Sequence, residues 1–408
     1  MKTSQSAGCF EQMNLRFFVF LMALLVFGVS VVVVSCQSDS KHTNRAKLPP
    51  DDVSLLAALP ERAPEPADNP PTPDKVELGR LLFFDPLLSG QRDVACATCH
   101  HPDFGYAELL PVSIGVNGEG TATHRHFREP NDIPLVKRNS QSVLNTAFNG
   151  LTHGQTVGPE QAPMFWDLRV SSLEKQALEP IRAFEEMRGH TYPQHVALDS
   201  VVARLRSIAE YRKRFGRAFG GNETITSEHL AKALAAYERT LVATNSRFDQ
   251  FMRGDKTALS ESEQEGLQLF LKAGCAKCHN GPMFSDFKLH TMGVADSPLL
   301  PASDAGPNNR YAFRTPTLRN LSRTAPYMHN GTIQTLQHVL TFYEDLRGNP
   351  VANPHVTRDQ LDPLTKHLRV EFRDISTIIE FLNTLNDDTF DRTIPRRVPS
   401  GLPVSGRL

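Results

Sequence analysis

Residues 94–108 read VACATCHHPDFGYAE, and within them Cys96, Cys99 and His100 spell C-x-x-C-H. The pattern returns as CAKCH at Cys275, Cys278 and His279. Three chemistries use such groups: a zinc site, a thioredoxin-like dithiol and a covalently attached haem. Zinc ribbons set two C-x-x-C pairs ~15–20 residues apart, whereas these two are separated by most of the chain. A dithiol does not require histidine directly after the second cysteine in both copies; haem attachment requires all three groups. Cysteines three apart on one helical turn reach the two vinyl groups of one porphyrin, and the next residue turns its imidazole towards the iron. The chain has 6 cysteines, of which Cys9 and Cys36 belong to an N-terminal leader, so the mature body keeps only the four in the motifs. No pair remains for a structural disulfide, and two covalently bound c-type haems are expected.

The leader, LRFFVFLMALLVFGVSVVVVSCQSDS, has Arg16 ahead of an apolar run that stops at Cys36, which is the pattern of an export signal. Met13 makes a more ordinary start than the twelve residues before it. Val33-Val34-Ser35-Cys36 resembles a bacterial lipobox, so residues 1–36 are read as a lipoprotein-type signal peptide with Cys36 as the lipid anchor. A transmembrane anchor is the competing reading, since the run approaches a span of ~20 residues. Either way the body lies in the periplasm, tethered to a membrane. Residues 37–73, rich in Pro, Ala and Asp, read as a flexible linker without a core. A net charge of -1 with 22% charged residues over 408 suits a globular protein of about two domains and argues against nucleic acid as a partner. The cluster Arg212, Lys213, Arg214, Arg217 reads as a solvated helix end.

Apolar spacing of three and four at Leu198, Val201, Val202, Leu205, Ile208, and at Leu230, Leu234, Tyr237, Leu241, predicts amphipathic helices. Ser260 and Glu263 form a capping-box pattern ahead of Leu267, Phe270 and Leu271, so that helix runs up to the second motif. Further helical patterns cover about 74–84, 335–346 and 374–386, and no segment shows sustained strand alternation. The expected fold is mostly α: two cytochrome-c-like domains, 74–243 and 244–392, each carrying one haem. The last helix is a candidate to pack back on the first domain. Long loops around 101–165 and 280–330 would wall the haem pockets.

At this point the chain resembles the bacterial di-haem cytochrome c peroxidases and their MauG-type relatives. The resemblance runs from about Val76 to Leu385 and rests on ELGRLLFFDPLLSG, RNSQSVLNTAFN, FWDLRVSSLEKQALEPIRAFEEM, CAKCHNGPMFSD and FRTPTLRNLSRTAPYMHNGTIQTLQHVLTFY, besides CATCH and IIEFLNTLN. It implies that His100 is the proximal ligand of an N-terminal, peroxide-reacting haem and His279 that of a C-terminal, electron-transfer haem. It sets Trp166, the only tryptophan, between the haems, and makes Gln176 and Glu186 the distal-pocket pair. A carboxylate there can take a proton from the inner peroxide oxygen and deliver it to the outer one. Without the resemblance, Trp166 reads as core and Glu185–Glu186 as a solvated pair. Asn139, Thr324 and Pro326 match positions that hold a calcium ion in the family, the last two through backbone carbonyls, and oxygen-only ligands suit calcium.

Two positions set this chain apart. The second axial ligand of the C-terminal haem is methionine in the peroxidases and tyrosine in MauG-type members; here it matches Tyr343, with Met292, Met328 and His338 as alternatives. Phenolate stabilises oxidised iron more than thioether does. The loop that carries a removable distal histidine in many peroxidases is replaced by GEGTATHRHFREPNDIPLVKRN, which leaves His124, His126 and the inserted His153 as candidates. The implied activity is reduction of hydrogen peroxide with electrons from a small periplasmic donor such as cytochrome c. The alternatives are MauG-type oxidation of a partner protein's side chains and a non-enzymatic di-haem electron carrier.

Overall fold

The structure, a computed structural model, describes residues 53–221 and 225–406. The leader, the proposed anchor Cys36 and the first part of the linker lie outside the described residues. Helix α1, Pro73–Phe83, begins where the Thr72 side chain accepts from the Lys75 amide, with proline in its first turn. That combination satisfies one free N–H and removes another. Then follow α2 Cys96–Cys99, α3 Leu173–Gln176, α4 Glu179–Arg182, α5 Ala197–Ser207, α6 Ala209–Phe219 and α7 Ser227–Glu238. After them come α8 Arg247–Met252, α9 Glu261–Lys272, α10 Leu336–Asp345 and α11 Ile375–Asn383. The expected capping box closes on α9: Ser260 Oγ accepts from the Glu263 amide at 3.3 Å, and the Glu263 carboxylate accepts from the Ser260 amide at 2.8 Å.

Two helix crossings organise the chain, each made possible by a glycine. In the first, α1 lies on α7, and a Cβ at Gly79 would run into the Ala233 carbonyl oxygen. In the second, α9 lies on α11, and a Cβ at Gly266 would run into the Thr377 carbonyl oxygen. Around the first crossing Leu78, Leu82, Phe83, Tyr106, Leu230, Leu234 and Tyr237 are buried together. Around the second Phe248, Phe270, Phe284 and Phe381 pack with ring centroids 5.1 Å (Phe248–Phe284) and 5.3 Å (Phe270–Phe381) apart. Each fully buried ring of this kind contributes roughly 1.5–3 kcal/mol. Each crossing lies close in sequence to one C-x-x-C-H motif: 12 residues separate the end of α1 from the first, and two separate the end of α9 from the second.

The long loops hold three short antiparallel pairs: β1 Gly118–Glu119 with β2 His126–Phe127, β3 Pro163–Met164 with β4 Val170–Ser171, and β5 Leu289–Thr291 with β6 Ala312–Arg314. Strands of two or three residues are too short to print an alternation, so the sequence read them as loop.

Residues 53–73 depart from the expected flexible linker. Leu56 is buried in the second core and Leu59 against Phe148, Met283 and Phe287. The Gly281 amide donates to Leu55 O at 2.8 Å, the Leu59 amide donates to Asp249 Oδ1 at 2.9 Å, and Asn69 Nδ2 donates to Glu174 Oε1 at 2.8 Å. Scattered leucines among prolines carry no periodicity, yet each finds an apolar slot, so the segment is a packed strap. The return to the first core also differs from expectation. Helix α11 stays on α9, and the segment after it goes back: Phe390 and Val398 join the first core, and the Ser405 amide donates to Phe84 O at 3.1 Å.

Candidate functional site

Each C-x-x-C-H motif faces a cavity. The first, about 490 Å³, is lined by Cys96, Cys99, His100, Trp166, Gln176, Glu185, Glu186 and Glu238 among others. The second, about 230 Å³, is lined by Cys275, Cys278, His279, Trp166 and Tyr343 among others. The first pair of cysteines sits on the single turn of α2; of the second pair, Cys275 opens a 3-10 turn, Cys275–Lys277, which Gly274 enters with φ +83°, and Cys278 caps it. All four thiols are free of disulfides.

The two histidines are held alike. His100 Nδ1 hydrogen-bonds the Tyr106 carbonyl at 3.1 Å and His279 Nδ1 the Phe284 carbonyl at 3.0 Å. A carbonyl can only accept, so Nδ1 carries the proton and Nε2 keeps its lone pair. Burial drives the His100 pKa down to about 4 and lowers that of His279, so both rings are neutral. Two thiols and one neutral imidazole with a free Nε2 at each cavity make up the donor set of c-type haem, and the residues fit that group twice.

Trp166 lines both cavities, together with Asn139, Ser140 and Arg314. Its indole N–H donates to Asn139 O at 3.0 Å, and its own carbonyl accepts from the Arg314 amide at 2.7 Å. It sits in the β3–β4 turn between Phe165 and Leu168, both left-handed with φ +64° and +58°. Non-glycine residues in that region cost of order 1–3 kcal/mol each, which the surrounding bonds must offset.

Glu186 lies in the π-helical turn Phe184–Arg188, a helical irregularity that often marks functional sites. Its carboxyl is pushed up to about 7, by burial first and by the Glu185 charge beside it second. Both glutamates reach the cavity wall, so the solvated pair that the residues suggest without the resemblance is not formed. Gln176, at the end of α3, joins them there.

His100 is the only histidine among the described residues lining the first cavity. His124, His126 and His153 are all exposed. His126 faces Glu119 at 3.1 Å, and the His153 amide lies 3.3 Å from Asn280 Oδ1, against the other motif. Of the four candidate second ligands at the C-terminal cavity, Tyr343, Met292 and Met328 line the wall, while His338 is exposed at the start of α10. No hydrogen-bond partner for the Tyr343 hydroxyl is found among the described residues, and burial raises its pKa. Asn139, Thr324 and Pro326 line this second cavity too; Asn139 Nδ2 donates to Leu110 O at 2.9 Å.

Three groups escaped sequence reading. Glu238 is buried in the wall of the first cavity with Oε2 unpartnered, and burial pushes it up to about 8. Its signal was an acid on the apolar stripe of α7, one residue from Tyr237. Glu108 is buried and accepts from the Ser113 hydroxyl, and burial pushes it up to about 7. His290 lies between Asp286 at 3.0 Å and Asp362 at 2.7 Å in the second cavity wall. Burial opposes its charge, but the bond to Asp286 and the contact with the Cys278 sulfur outweigh this and raise its pKa. The sequence offers only half of that triad: Asp286 and His290 are four residues apart, whereas Asp362 lies 72 residues beyond His290.

Residues 73–257 match the di-haem cytochrome c peroxidase family. The methylamine utilization protein MauG of Methylorubrum extorquens is 34% identical over 382 residues, covering 92% of this chain and 96% of that protein. The cytochrome c551 peroxidase of Nitrosomonas europaea is 32% identical over 353 residues, covering 85% and 90%. Among solved structures, a MauG-like protein associated with microbial copper homeostasis superposes with a TM-score of 0.64 at 27% identity, covering 81% of this chain and 95% of that one.

Proposed function

Because the chain belongs to the di-haem cytochrome c peroxidase family, we propose that it reduces hydrogen peroxide to water with electrons from a small periplasmic donor such as cytochrome c. The balance is H2O2 with two electrons and two protons giving two waters. Residues 74–243 and 244–392 form the two haem domains in this reading, with Cys96, Cys99 and His100 holding one haem and Cys275, Cys278 and His279 the other. Each haem, when bound, supplies one-electron redox chemistry at its iron. The haem held by Cys275, Cys278 and His279 would be the entry point for electrons, and Trp166, the aromatic side chain common to both cavity walls, would carry them across. Export and tethering through Cys36 complete the assignment.

The observation that carries the proposal is the convergence of Glu186 and Gln176 on the cavity that holds His100. Near pH 7 the Glu186 carboxyl is poised to gain or lose a proton. It takes the proton from one peroxide oxygen and returns it to the other, which leaves as water, while the Gln176 amide orients the substrate. The absence of any second histidine from that wall, among the described residues, supports activity without prior reduction. Asn139 and the carbonyls of Thr324 and Pro326 are the proposed calcium ligands.

A second reading, oxidation of a partner protein's side chains, is favoured by Tyr343 and by the likeness to MauG. Peroxide-dependent oxidation of reduced cytochrome c by the two-haem protein tests the first. A partner protein recovered with modified side chains supports the second, and inertness towards peroxide removes both.

A further inference from the structure

The rim of the second cavity carries a cluster of cations without counter-charges. Gly274, Lys277 and Leu368 are part of the cavity wall. A Cβ on Gly274 would lie 3.8 Å from Lys277 Cε and 3.0 Å from the His367 carbonyl oxygen. The Arg369 amide donates to Ala273 O at 2.9 Å, and Arg369 Nη1 donates to Lys366 O at 2.9 Å. These contacts bring the end of α9, the turn that carries Cys275, and residues 366–369 onto one surface. Lys272, Lys277, Lys366, His367 and Arg369 are all exposed there. Among the described residues no carboxylate lies within ion-pair distance of any of these side chains, and the nearby Glu371 is already bonded to Arg373.

We propose that this patch is the docking surface for the electron donor, and that the donor is a small redox protein whose own active face is acidic. The inference rests on the proposed entry of electrons at the C-terminal haem and adds the chemical class of the partner. The chain as a whole is nearly neutral, at -1, so four clustered lysine and arginine charges at the cavity rim form a local field rather than part of a general one. Such fields steer an oppositely charged partner and raise its association rate by ~10–10³-fold at low salt. Unpaired lysines keep their side-chain freedom and their hydration until a partner arrives, which suits transient docking with rapid turnover.

The test uses the two-haem protein and one donor scaffold in two charge states: a basic cytochrome c and the same protein with its lysines succinylated. Binding is measured by titration without peroxide, and electron transfer by stopped-flow oxidation of the reduced donor. The succinylated donor should associate at least ~10-fold faster than the basic one at low ionic strength, with the gap closing near 0.3 M salt, where the Debye length is only ~6 Å. The double variant Lys272→Glu/Lys366→Glu should abolish that preference while leaving peroxide turnover with an uncharged small-molecule reductant unchanged. Equal rates for both donors, or a preference that survives the double variant, would overturn the patch. If the protein shows no peroxide turnover with any reductant, the proposed activity fails, and the peroxide-free binding measurement still decides the docking surface.

Discussion

Glu186→Gln keeps the side chain's volume and its hydrogen-bonding shape while removing the base, so it isolates proton transfer from packing. The carboxyl is held near 7, by burial first and by Glu185 second. The ionised form that accepts the peroxide proton is therefore about a tenth of the population at pH 6 and about nine-tenths at pH 8. Because the pKa is raised, activity is lost as pH falls through about 7 and is complete above it. In the wild type kcat/KM for peroxide should climb roughly tenfold per unit below pH 6 and level off near pH 8. At pH 8 the variant should lose ~10²–10⁴-fold, equivalent to ~2.7–5.4 kcal/mol of barrier, and its profile should lose the acid limb. Glu185→Gln removes the neighbouring charge that raises Glu186. Its plateau should stay close to wild type and its limb should move to lower pH. Steady-state peroxide consumption in protein with both haems stained on a denaturing gel is the assay. Near-wild-type turnover by Glu186→Gln with both haems in place, or equal losses in both variants, would refute the proton-transfer role.

Tyr343→Met should introduce the charge-transfer band of methionine-ligated ferric haem and raise that haem's potential; an unchanged spectrum would remove Tyr343 from the iron. Gly266→Ala sets a methyl against the Thr377 carbonyl oxygen and 2.8 Å from Phe381 Cβ, and should cost at least ~1–3 kcal/mol in thermal unfolding. Gly216→Ala, whose nearest atoms are 3.7 Å away, should be neutral or stabilising by up to ~1 kcal/mol. Glu238 is raised to about 8, so its contribution to stability is full below its ordinary range near 4.5 and is lost as pH rises through about 8. Glu238→Gln should accordingly flatten the fall in Tm between about pH 5 and 9, and an unaltered slope would show that this carboxyl does not titrate there.

Covalent chemistry was the part most legible from sequence alone. Two vinyl groups and one axial position on a single porphyrin demand three side chains within one turn, so the proposed haem ligands Cys96, Cys99 and His100, and again Cys275, Cys278 and His279, are neighbours in sequence. Helices α5, α7 and α9 were legible for a related reason: amphipathic spacing and the Ser260–Glu263 cap are local. The family likeness brought Trp166, Glu186, Gln176 and Tyr343 forward, but sequence without it left Trp166 as core and Glu186 as a solvated acid. Only tertiary structure decided that Trp166 forms part of both cavity walls, that His124, His126 and His153 stay away from the first, and that residues 53–73 pack as a strap. It alone showed Glu238 and the Asp286–His290–Asp362 triad. The physical reason is that burial and pairing depend on which distant segments come together. The free energy that pushes Glu186 up to about 7 comes first from burial, which the fold decides, and only second from its sequence neighbour Glu185; His290 likewise meets Asp362 at 2.7 Å only through the fold, although Asp286 is four residues away.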